Sequence, residues 1–439
     1  MQIVNYFENL RNKISDNQIK IGIIGLGYVG LPLSITFAES NIKVLGFDID
    51  KEKVININDG FSYLKHIDST NLNNLVNKKI LEATFDFSRI NEIDIIIICV
   101  PTPLTKYRDP DLSFILNTLK KIKKFLKKGQ LISLESTTYP GTTEEVLKVF
   151  LEEQSFILGD DFFLVYSPER EDPGNKKFNT KNIPKVLGGI TNNCTELGKM
   201  IYEKAIDKIF IVSDTKVAEF TKLLENIHRS VNIGLMNELK QLSERMDIDL
   251  YEVIKAASTK PFGFVPYYPG PGLGGHCIPI DPFYLAWKAK EFGMQTKFIE
   301  LAGEINTYMP NYVVKKTIDA LNRNSKPLNN SKLLILGISY KKNIDDCRES
   351  PALEIIYKLV NRGAKVNFND PFFPTFPSNR KYDIKLKSSE ISPKELSKYD
   401  AVVLTTDHDN FDYEIIKKYS QLIIDTRGRF PKSENVIRA

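Results

Sequence analysis

The sequence predicts an α/β protein in which two Rossmann-like, doubly wound domains are joined by a long central helix and a helical middle region. Apolar strands alternate with helical segments from Ile19 and again from Lys332, and an unbroken helical period separates the two series. We expect an N-terminal extension at 1–18, a first Rossmann domain at 19–213, a central helical domain at 214–325 and a second Rossmann-like domain at 326–439.

The first domain is predicted from strand and helix patterns in strict alternation. A strand (KIGIIG) precedes a glycine turn, a helix (LPLSITFAES), a second strand (KVLGFDID) and a β-branched run (DIIIICV). Strand-like runs at 130–135 and 162–166 extend the same sheet, which ends near 211–213. This order indicates a parallel, doubly wound sheet.

The middle and last regions follow from a change of period. Between Thr215 and Met246 the helical period lasts long enough for a helix of roughly 45 Å. Its apolar positions are Val217, Phe220, Leu224, Ile227, Val231, Leu235, Leu239 and Leu242. Such a helix can link domains or form a dimer interface. The runs LLILGISY, KVNFND, DAVVLTTD and QLIIDTRG then predict a second, smaller α/β sheet.

Composition excludes several classes of protein. A net charge of +5 without a basic block argues against a nucleic-acid partner. The four cysteines are scattered, without CxxC or a Cys/His cluster, so we expect no disulfide framework and no metal. The first twenty residues lack a signal-peptide pattern, and the most apolar run, 95–100, is too short to span a bilayer. We expect a cytoplasmic protein without a membrane partner.

The segment GLGYVG places Gly25, Gly27 and Gly30 between a strand and a helix, and Asp48 ends the next strand about 20 residues on. In this context the glycines form a dinucleotide fingerprint: a tight turn, a close approach of the pyrophosphate, and contact between helix and strand. A carboxylate at position 48 favours NAD over NADP. Glycines alone also occur in any tight strand-to-helix turn.

The segment FGFVPYYPGPGLGGHCIPIDPFY places Cys277 behind a glycine-rich bend and four residues before Asp281. The glycines allow a close approach to a phosphorylated ligand, and a thiol in such a loop is a candidate nucleophile. The alternative is a small buried side chain, the usual fate of a free cysteine, which suits Cys99 at the end of an apolar strand. For His276 a structural hydrogen bond is the favoured role.

Polar residues elsewhere are candidates for the same site. Lys222, Asn226 and Arg229 follow one stripe of the central helix, where a lysine near the thiol could lower its pKa and stabilise an oxyanion. A polar stripe is equally typical of a solvated face. Thr138 and Glu169 each follow an apolar strand, and both are predicted at the carboxyl edge of the first sheet, or as turn or cap residues.

Six motifs together resemble the UDP-glucose/GDP-mannose dehydrogenase family: GLGYVG, ESTTYPGTT, SPERxxPG, KLLENIHR, GPGLGGHCIPIDP and SYKKNIDDCRESP. The resemblance covers nearly the whole chain. It implies that 19–213 binds NAD, that 214–325 dimerises and carries the catalytic loop, and that 326–439 binds UDP. The motif sequences are most similar to those of the bacterial branch acting on UDP-N-acetylglucosamine. Those of the UDP-N-acetylmannosamine branch are nearly as similar.

The resemblance also implies residue roles. The implied catalytic residues are Cys277, Lys222, Asn226, Asp281, Thr138 as the water-positioning residue, and Glu169. The implied NAD contacts are Gly25, Gly27, Tyr28, Val29, Gly30, Asp48, Lys53, Thr102, Thr138 and Arg348, the last reaching the cofactor of a partner subunit. The implied substrate contacts are Glu169, Arg170, Lys222, Asn226, Arg229, Tyr267, Gly274 and Lys341.

These roles imply a four-electron oxidation of a sugar C6 hydroxyl to a carboxylate for bacterial surface polysaccharide such as O antigen. UDP-glucose enzymes typically read CxPKD and PEFLxEG, whereas this chain has Ile280 and Arg170 at the corresponding places, which favours an N-acetylated sugar. The alternatives are UDP-N-acetylmannosamine, UDP-glucose or GDP-mannose as substrate, a hydroxyacid dehydrogenase performing one oxidation, and a non-catalytic NAD-binding scaffold.

Overall fold

The computed structural model describes residues 4–64, 67–172, 175, 177–275, 278–377, 382 and 384–439. The chain divides into two compact units, Met1–Glu225 with Trp287–Gly293, and Asn226–Ala286 with Met294–Ala439. Within the described ranges, no helix is both long and apolar enough to cross a membrane.

The strands and helices up to the central helix follow the predicted alternation, with an additional helix before the first strand. They are α1 (Tyr6–Ser15), β1 (Lys20–Ile24), α2 (Gly30–Glu39), β2 (Lys43–Phe47), α3 (Lys51–Asn58), α4 (Ser69–Asn77), β3 (Leu81–Thr84), β4 (Ile95–Ile98), α5 (Ser113–Ile122), β5 (Leu131–Leu134), a π-helix (Thr143–Lys148) continuing into α6 (Val149–Glu152), β6 (Phe163–Tyr166), β7 (Lys185–Gly189), α7 (Asn192–Tyr202) and β8 (Ile209–Ile211).

The remaining elements begin with the central helix and end with a second run of strands. They are α8 (Thr215–Arg245), α9 (Leu250–Ala257), α10 (Asp281–Ala289), α11 (Lys297–Arg323), β9 (Lys332–Leu336), α12 (Pro351–Val360), β10 (Lys365–Asn369), α13 (Pro393–Leu396), β11 (Ala401–Leu404), α14 (Tyr413–Tyr419), β12 (Ile423–Asp425) and β13 (Val436–Arg438).

The first sheet has the order β3-β2-β1-β4-β5-β6-β7-β8 among the described residues, and its first six strands repeat the order of dinucleotide-binding folds. These six strands are parallel, as predicted, but β7 is antiparallel to β6. The predicted doubly wound fold is confirmed, and the antiparallel strand β7 is an addition that the sequence analysis did not predict. Both faces of the sheet are covered, since Ile95 and Ile97 belong to one core cluster and Ile96 and Ile98 to another.

The second sheet has the order β10-β9-β11-β12-β13 with parallel pairings between the described strands. The predicted second Rossmann-like region is confirmed. Its order reverses between β9 and β11, as the first sheet reverses between β1 and β4, and such a reversal marks the ligand-binding edge of an open α/β sheet.

Matching hydrogen bonds show that the two sheets share more than their layout. Where β1 begins, the N–H of Lys20 donates to Asp94 (3.0 Å), and where β9 begins, the N–H of Lys332 donates to Asp400 (2.8 Å). Each aspartate directly precedes the strand that pairs with the first strand of its sheet, since Asp94 precedes β4 and Asp400 precedes β11. One carboxylate therefore fixes the start of adjacent strands in both sheets.

The carboxyl edge of the second sheet is tied by a buried Asp370–His408 pair. One oxygen of Asp370 accepts from the N–H of Ile338 (2.6 Å), the N–H of Ser339 (3.1 Å) and Nε2 of His408 (3.1 Å). Nδ1 of His408 accepts from the N–H of Asn343 (2.9 Å), so Nε2 carries the proton. Burial opposes the charge of Asp370, but His408 and the backbone donors outweigh it and lower the pKa of Asp370.

The central helix α8 confirms the predicted span, and it has several exposed apolar positions and several buried polar ones. Apolar residues are exposed along one side: Val217, Phe220, Leu224, Leu235 and Leu242. Polar residues are buried: Glu219, Lys222, Asn226, Ser230, Asn237 and Lys240. The interpretation of the polar stripe as a solvated face is therefore wrong for Lys222 and Asn226, while Arg229 is exposed.

Two long helices, α8 and α11, pack closely because small residues and amides meet between them. A Cβ on Gly234 would lie 3.2 Å from Ala302. The amide of Asn306 donates to the carbonyl oxygen of Ser230 (3.0 Å) and its oxygen accepts from Asn237 (2.9 Å). These bonds satisfy the buried amides and fix the register of the two helices.

Replacing Asp370 with Asn should destabilise the protein by about 2–4 kcal/mol, because an amide nitrogen would face groups that now donate hydrogen bonds to the carboxylate. The lowered pKa means that this stability is present above the usual aspartate pKa and is lost as the pH falls through the folded-state value. Urea unfolding at neutral and acidic pH measures both effects. The control Glu354→Gln, in a partly exposed pair with Lys358, should change stability by at most about 0.5 kcal/mol.

Candidate active site

The three glycines of the β1–α2 turn meet different requirements. Gly25 has φ +94°, and a Cβ there would lie 2.8 Å from the carbonyl oxygen of Cys99. A Cβ at Gly30 would overlap the carbonyl oxygen of Gly25. Among the described residues other than its chain neighbours, none has a heavy atom within 4 Å of the position that a Cβ on Gly27 would take. The protein's own packing requires Gly25 and Gly30, and the open space at Gly27 suits a ligand close to the backbone.

Asp48 lies at the carboxyl edge of β2 with one oxygen on the N–H of Leu26 and the other on the N–H of Asp50, both at 2.9 Å. Nζ of Lys53 is 3.6 Å from the same carboxylate. The carboxylate thus connects the glycine turn to the start of α3. Two oxygens with one backbone donor each retain acceptor capacity for ribose hydroxyls.

Thr138 lies in the loop after β5 with a buried hydroxyl that has no hydrogen-bond partner among the described residues. The neighbouring Thr102, after β4, is also buried and donates to the carbonyl oxygen of Thr137 (2.7 Å). At the start of α2, Val29 provides no side-chain cap, and Tyr28 packs against one core face of the sheet. An unsatisfied buried hydroxyl at a sheet edge is a site where a ligand or water supplies the missing partner.

Glu219 connects the central helix to the Thr138 loop, a role that the sequence did not reveal. Its carboxylate accepts from the N–H of Gly141 (2.5 Å) and from the N–H and hydroxyl of Thr143 (2.8 and 2.7 Å). Burial raises the pKa of Glu219 to about 7, and these donors act in the opposite direction. Glu219 precedes Lys222 by one helical turn, so the same turn that carries Lys222 holds the loop.

Glu169 follows β6, and its position is set by its own backbone. One oxygen accepts from the N–H groups of Arg170 and Glu171, both at 2.7 Å. The other lies 3.9 Å from Nζ of Lys185. The neighbouring Glu171 is partly buried, and burial together with the charge of Glu169 raises the pKa of Glu171 to about 7. A carboxyl group with a raised pKa therefore lies beside Glu169.

Arg170, the residue that distinguishes SPER from the UDP-glucose pattern, is held by the central helix. Its guanidinium contacts both carboxylate oxygens of Glu225 (2.5 and 3.3 Å) and donates to the carbonyl oxygen of Pro184 (2.7 Å). This fork geometry fixes the SPER turn against α8.

Asn226 and Asp281 are in direct contact. Nδ2 of Asn226 donates to Oδ2 of Asp281 (2.5 Å), and both side chains are buried. Asp281 is the first residue of α10, where the helix dipole favours a negative charge. The structure thus joins two residues that lie 55 positions apart in sequence.

The glycine-rich segment before the proposed nucleophile packs against its own chain. A Cβ on Gly274 would lie 2.5 Å from Tyr340, and the N–H of Gly275 (φ +84°) donates to the carbonyl oxygen of Arg348 (2.9 Å). Close packing against these residues accounts for both glycines, a reason different from the predicted approach of a phosphate. The proposed nucleophile Cys277 and its neighbour His276 lie outside the described residues.

Three further predicted contacts lie near other side chains. The guanidinium of Arg348 is bound to Asp346 through two nitrogens (2.7–3.1 Å). The hydroxyl of Tyr267 lies 2.9 Å from Nδ1 of His228. Lys341 is half-buried in the loop after β9. Arg348 is partly exposed and can therefore be reached by a ligand. Such a ligand would compete with Asp346 for the guanidinium group.

The three described cysteines have the features of structural residues. Cys194 is buried, and its sulfur accepts from the N–H of Leu164 (3.4 Å). Burial raises the pKa of Cys99 well above its ordinary value and that of Cys347 to about 11. A thiol with a raised pKa holds its proton and is a poor nucleophile at neutral pH. Among the described residues, no group of His, Cys, Asp and Glu side chains has the geometry of a metal site.

Family models match the chain in three consecutive parts. The NAD binding domain of the UDP-glucose/GDP-mannose dehydrogenase family matches residues 19–206, its central domain 216–308 and its UDP binding domain 334–432. The chain belongs to this family. It is therefore an NAD-dependent nucleotide-sugar dehydrogenase, and the family assignment made from the motifs is confirmed.

Relatives of the enzyme are named for different sugars. A UDP-N-acetyl-D-glucosamine 6-dehydrogenase of Salmonella typhi is 33% identical over 96% of this chain and 99% of its own. A UDP-N-acetyl-D-mannosamine dehydrogenase of Methanocaldococcus jannaschii is 32% identical over 95% of this chain and 94% of its own. The solved UDP-D-ManNAc dehydrogenase of Pyrococcus horikoshii has a TM-score of 0.84 at 31% identity, covering 94% and 97% of the two chains.

The residues of the first sheet fit NAD. The open space at Gly27 admits the pyrophosphate, and the carboxylate of Asp48 can accept from ribose hydroxyls. The orphaned hydroxyl of Thr138 offers a polar contact in the loop after β5, at the carboxyl edge of the same sheet. Sequence reasoning identified all three, but it missed Glu219, Glu135 and Lys185, because acidic and basic residues in such patterns usually face solvent.

A matched pair of glycine substitutions should separate cofactor binding from folding. In Gly27→Ala the new methyl group meets no protein atom, so stability should change by at most about 1 kcal/mol while NAD⁺ affinity falls roughly tenfold or more. In Gly30→Ala the methyl group overlaps the backbone, so the protein should lose about 2 kcal/mol or more. Urea unfolding and calorimetric titration with NAD⁺ measure the two effects. Unchanged NAD⁺ affinity in Gly27→Ala would contradict this assignment.

Proposed function

We propose that the enzyme oxidises the C6 hydroxymethyl group of UDP-N-acetyl-D-glucosamine to a carboxylate, with two NAD⁺ consumed in succession. The product is UDP-N-acetylglucosaminuronate. The buried contact between Asn226 and Asp281 carries this proposal, because Asp281 follows the proposed nucleophile Cys277 by four residues. An amide donor is thereby joined to a carboxylate that lies close in sequence to a thiol.

The first oxidation removes a hydride from C6 and a proton from its hydroxyl, and it yields an aldehyde. NAD⁺, when bound, accepts the hydride, and this is the chemistry that the cofactor supplies. Lys222, buried on α8, or an ordered water takes the proton. The thiolate of Cys277 then adds to the aldehyde carbon and forms a thiohemiacetal, which keeps the aldehyde from escaping.

The second oxidation converts the thiohemiacetal into a thioester, which water hydrolyses to the carboxylate and the free thiol. Each tetrahedral species carries a negative oxygen, which the ammonium of Lys222 and the amide of Asn226 stabilise. One N–H of Asn226 is held by Asp281, and its second N–H is the donor for this role. Thr138 orients the water, and Glu169 and Asp281 help to activate it, with a carboxylate accepting its proton.

The remaining assigned residues bind the substrate or the cofactor. Arg170, Arg229, Tyr267, Gly274 and Lys341 are proposed substrate contacts, and Arg348 a contact to the NAD of a partner subunit. The N-acetylated sugar is supported by the sequence SPER in place of PEFLxEG, where Arg170 pairs with Glu225 of the central helix. UDP-N-acetylmannosamine is the second candidate, because a dehydrogenase for that sugar covers nearly the whole chain in three dimensions. We further propose that the product supplies surface polysaccharide such as O antigen.

We also propose a homodimer through the central helix. Val217, Phe220 and Leu224 recur at helical spacing on one face of α8, and Leu224 is 56% exposed. These residues also line a groove with Pro140 and Thr221. An exposed row of large apolar side chains beside a groove is characteristic of an interface, and a second copy of the same helix has the matching surface.

Two NADH should form for each UDP-N-acetylglucosamine consumed, as measured by absorbance with UDP-N-acetylmannosamine, UDP-glucose and GDP-mannose run alongside. One NADH per sugar would exclude the thioester step, and turnover with another sugar alone would change the substrate. Cys277→Ser should form no uronate while retaining NAD⁺ binding, and the control Cys347→Ser should still form two NADH. Full activity of Cys277→Ser would exclude the mechanism.

Leu224→Glu should convert the dimer into a monomer in analytical ultracentrifugation, because two buried carboxylates would meet across the interface. Leu116→Glu is the matched control, since Leu116 is similarly exposed but lies on α5. It should remain dimeric. A monomeric wild-type protein at micromolar concentration would refute the proposed interface.

A further inference from the structure

The antiparallel direction of β7 brings a buried lysine to the edge of the sheet where Glu169 lies. In the pairing of β6 with β7, Tyr166 lies opposite Gly188 and Val165 opposite Gly189. The first residue of β7, Lys185, consequently lies beyond the carboxyl end of β6. In a parallel strand the first residue would lie at the opposite edge.

Lys185 is 5% exposed and is surrounded by acceptors. Nζ donates to Oε2 of Glu135 (2.6 Å) and to the carbonyl oxygen of Pro168 (3.4 Å). It also lies 5.1 Å from the centre of the Tyr202 ring. These contacts favour the charged ammonium against the cost of burial, and the pKa of Lys185 is raised.

The partner of Lys185 is held rigidly from below. Glu135 follows β5 and is almost fully buried, and its second oxygen accepts from the hydroxyl of Tyr202 (2.5 Å). That hydroxyl lies 2.7 Å from Oγ of Ser133. Glu135, Tyr202 and Ser133 therefore form a connected hydrogen-bond network next to Lys185. This network leaves the lysine little freedom to move.

Glu169 faces this ammonium with one of its two carboxylate oxygens. Its Oε1 is occupied by two backbone N–H groups, and its Oε2 lies 3.9 Å from Nζ of Lys185. Lys185 thus stands between a buried carboxylate, Glu135, and a more exposed one, Glu169. The lysine balances the charge of Glu135, and the remaining negative charge belongs to Glu169.

We propose that Lys185 is a positioning residue for the reaction, holding the Glu169 carboxylate charged and oriented toward the reacting water. This inference rests on the proposed role of Glu169 in thioester hydrolysis. The titratable groups that act on Glu169 or share its surroundings are Lys185, Glu135, Glu171, Cys99 and Tyr202. Lys185 is the cation of this group, so its charge has the largest stabilising effect on the carboxylate.

Opposite substitutions in the Lys185–Glu135 pair should shift the proton affinity of Glu169 in opposite directions. Lys185→Met removes the cation beside Glu169 and should make its carboxylate easier to protonate, while Glu135→Gln removes an anion that competes for this cation and should have the opposite effect. The acidic limb of the pH profile of kcat should therefore move to higher pH in Lys185→Met and to lower pH in Glu135→Gln. The double variant should lie between them, and Lys185→Arg should restore the wild-type profile.

The second readout does not depend on turnover. Carbon-13 NMR of protein with labelled glutamate carboxyl carbons follows Glu169 directly, and its signal is identified by its absence in Glu169→Gln. The same opposite shifts should appear there, even if the two-NADH stoichiometry fails and the proposed function with it. If Lys185→Met does not fold, the downward shift in Glu135→Gln still tests the proposal.

Lys326→Met serves as the control, since Lys326 pairs with Asp400 at the start of the second sheet. It should leave both the kcat profile and the Glu169 titration unchanged. If Lys185→Met and Glu135→Gln shift Glu169 in the same direction, or leave it unshifted while stability falls, Lys185 has a structural role alone and the proposal is overturned.

Discussion

The burial of polar side chains along one face of α8 is the constraint on which most of the structure depends. A buried polar group costs several kcal/mol unless it is hydrogen-bonded, so each must hold a partner in place. Glu219 holds the loop after β5, Asn226 holds Asp281, and Asn237 accepts from Gly270 at the start of the glycine-rich loop. Lys240, whose pKa burial lowers to about 7, donates to carbonyl oxygens beside the last strands. One helix thus orders several loops, among them those of the candidate site.

The two sheets show how one hydrogen-bonding plan can have two uses. In the first sheet Asp48, directly after β2, accepts a hydrogen bond from the backbone just after β1. In the second sheet Asp370, directly after β10, accepts one from the backbone just after β9. Asp48 keeps acceptor capacity beside the open backbone at Gly27. Asp370 instead binds His408 and Ser339 and is saturated by protein. The first sheet can therefore receive a dinucleotide at this position, whereas the second uses its aspartate for stability.

Acid–base properties at the candidate site come from contacts between residues far apart in sequence. Glu169 shares Lys185 with Glu135, while Glu219 is buried among backbone donors and binds its proton more tightly than an ordinary carboxyl. The antiparallel direction of β7 is essential for this contact. It places Lys185, the first residue of the strand, at the edge of the sheet where Glu169 lies, whereas the first residue of a parallel strand would lie at the opposite edge. The direction of β7 therefore decides which charged group lies beside Glu169.

Local patterns were sufficient for the parallel strands, the span of α8 and the glycine fingerprint, because period and turn chemistry act over a few residues. Motifs were sufficient for the family. They could not foresee the antiparallel β7, the burial of Lys222 and Asn226, or the exposure of Leu224, since a helical stripe does not reveal which side will be covered. The roles of residues such as Glu219 and Lys185 likewise depend on partners 50 or more positions away. Such pairings arise when elements pack, because burial and charge compensation are properties of the folded neighbourhood rather than of any segment.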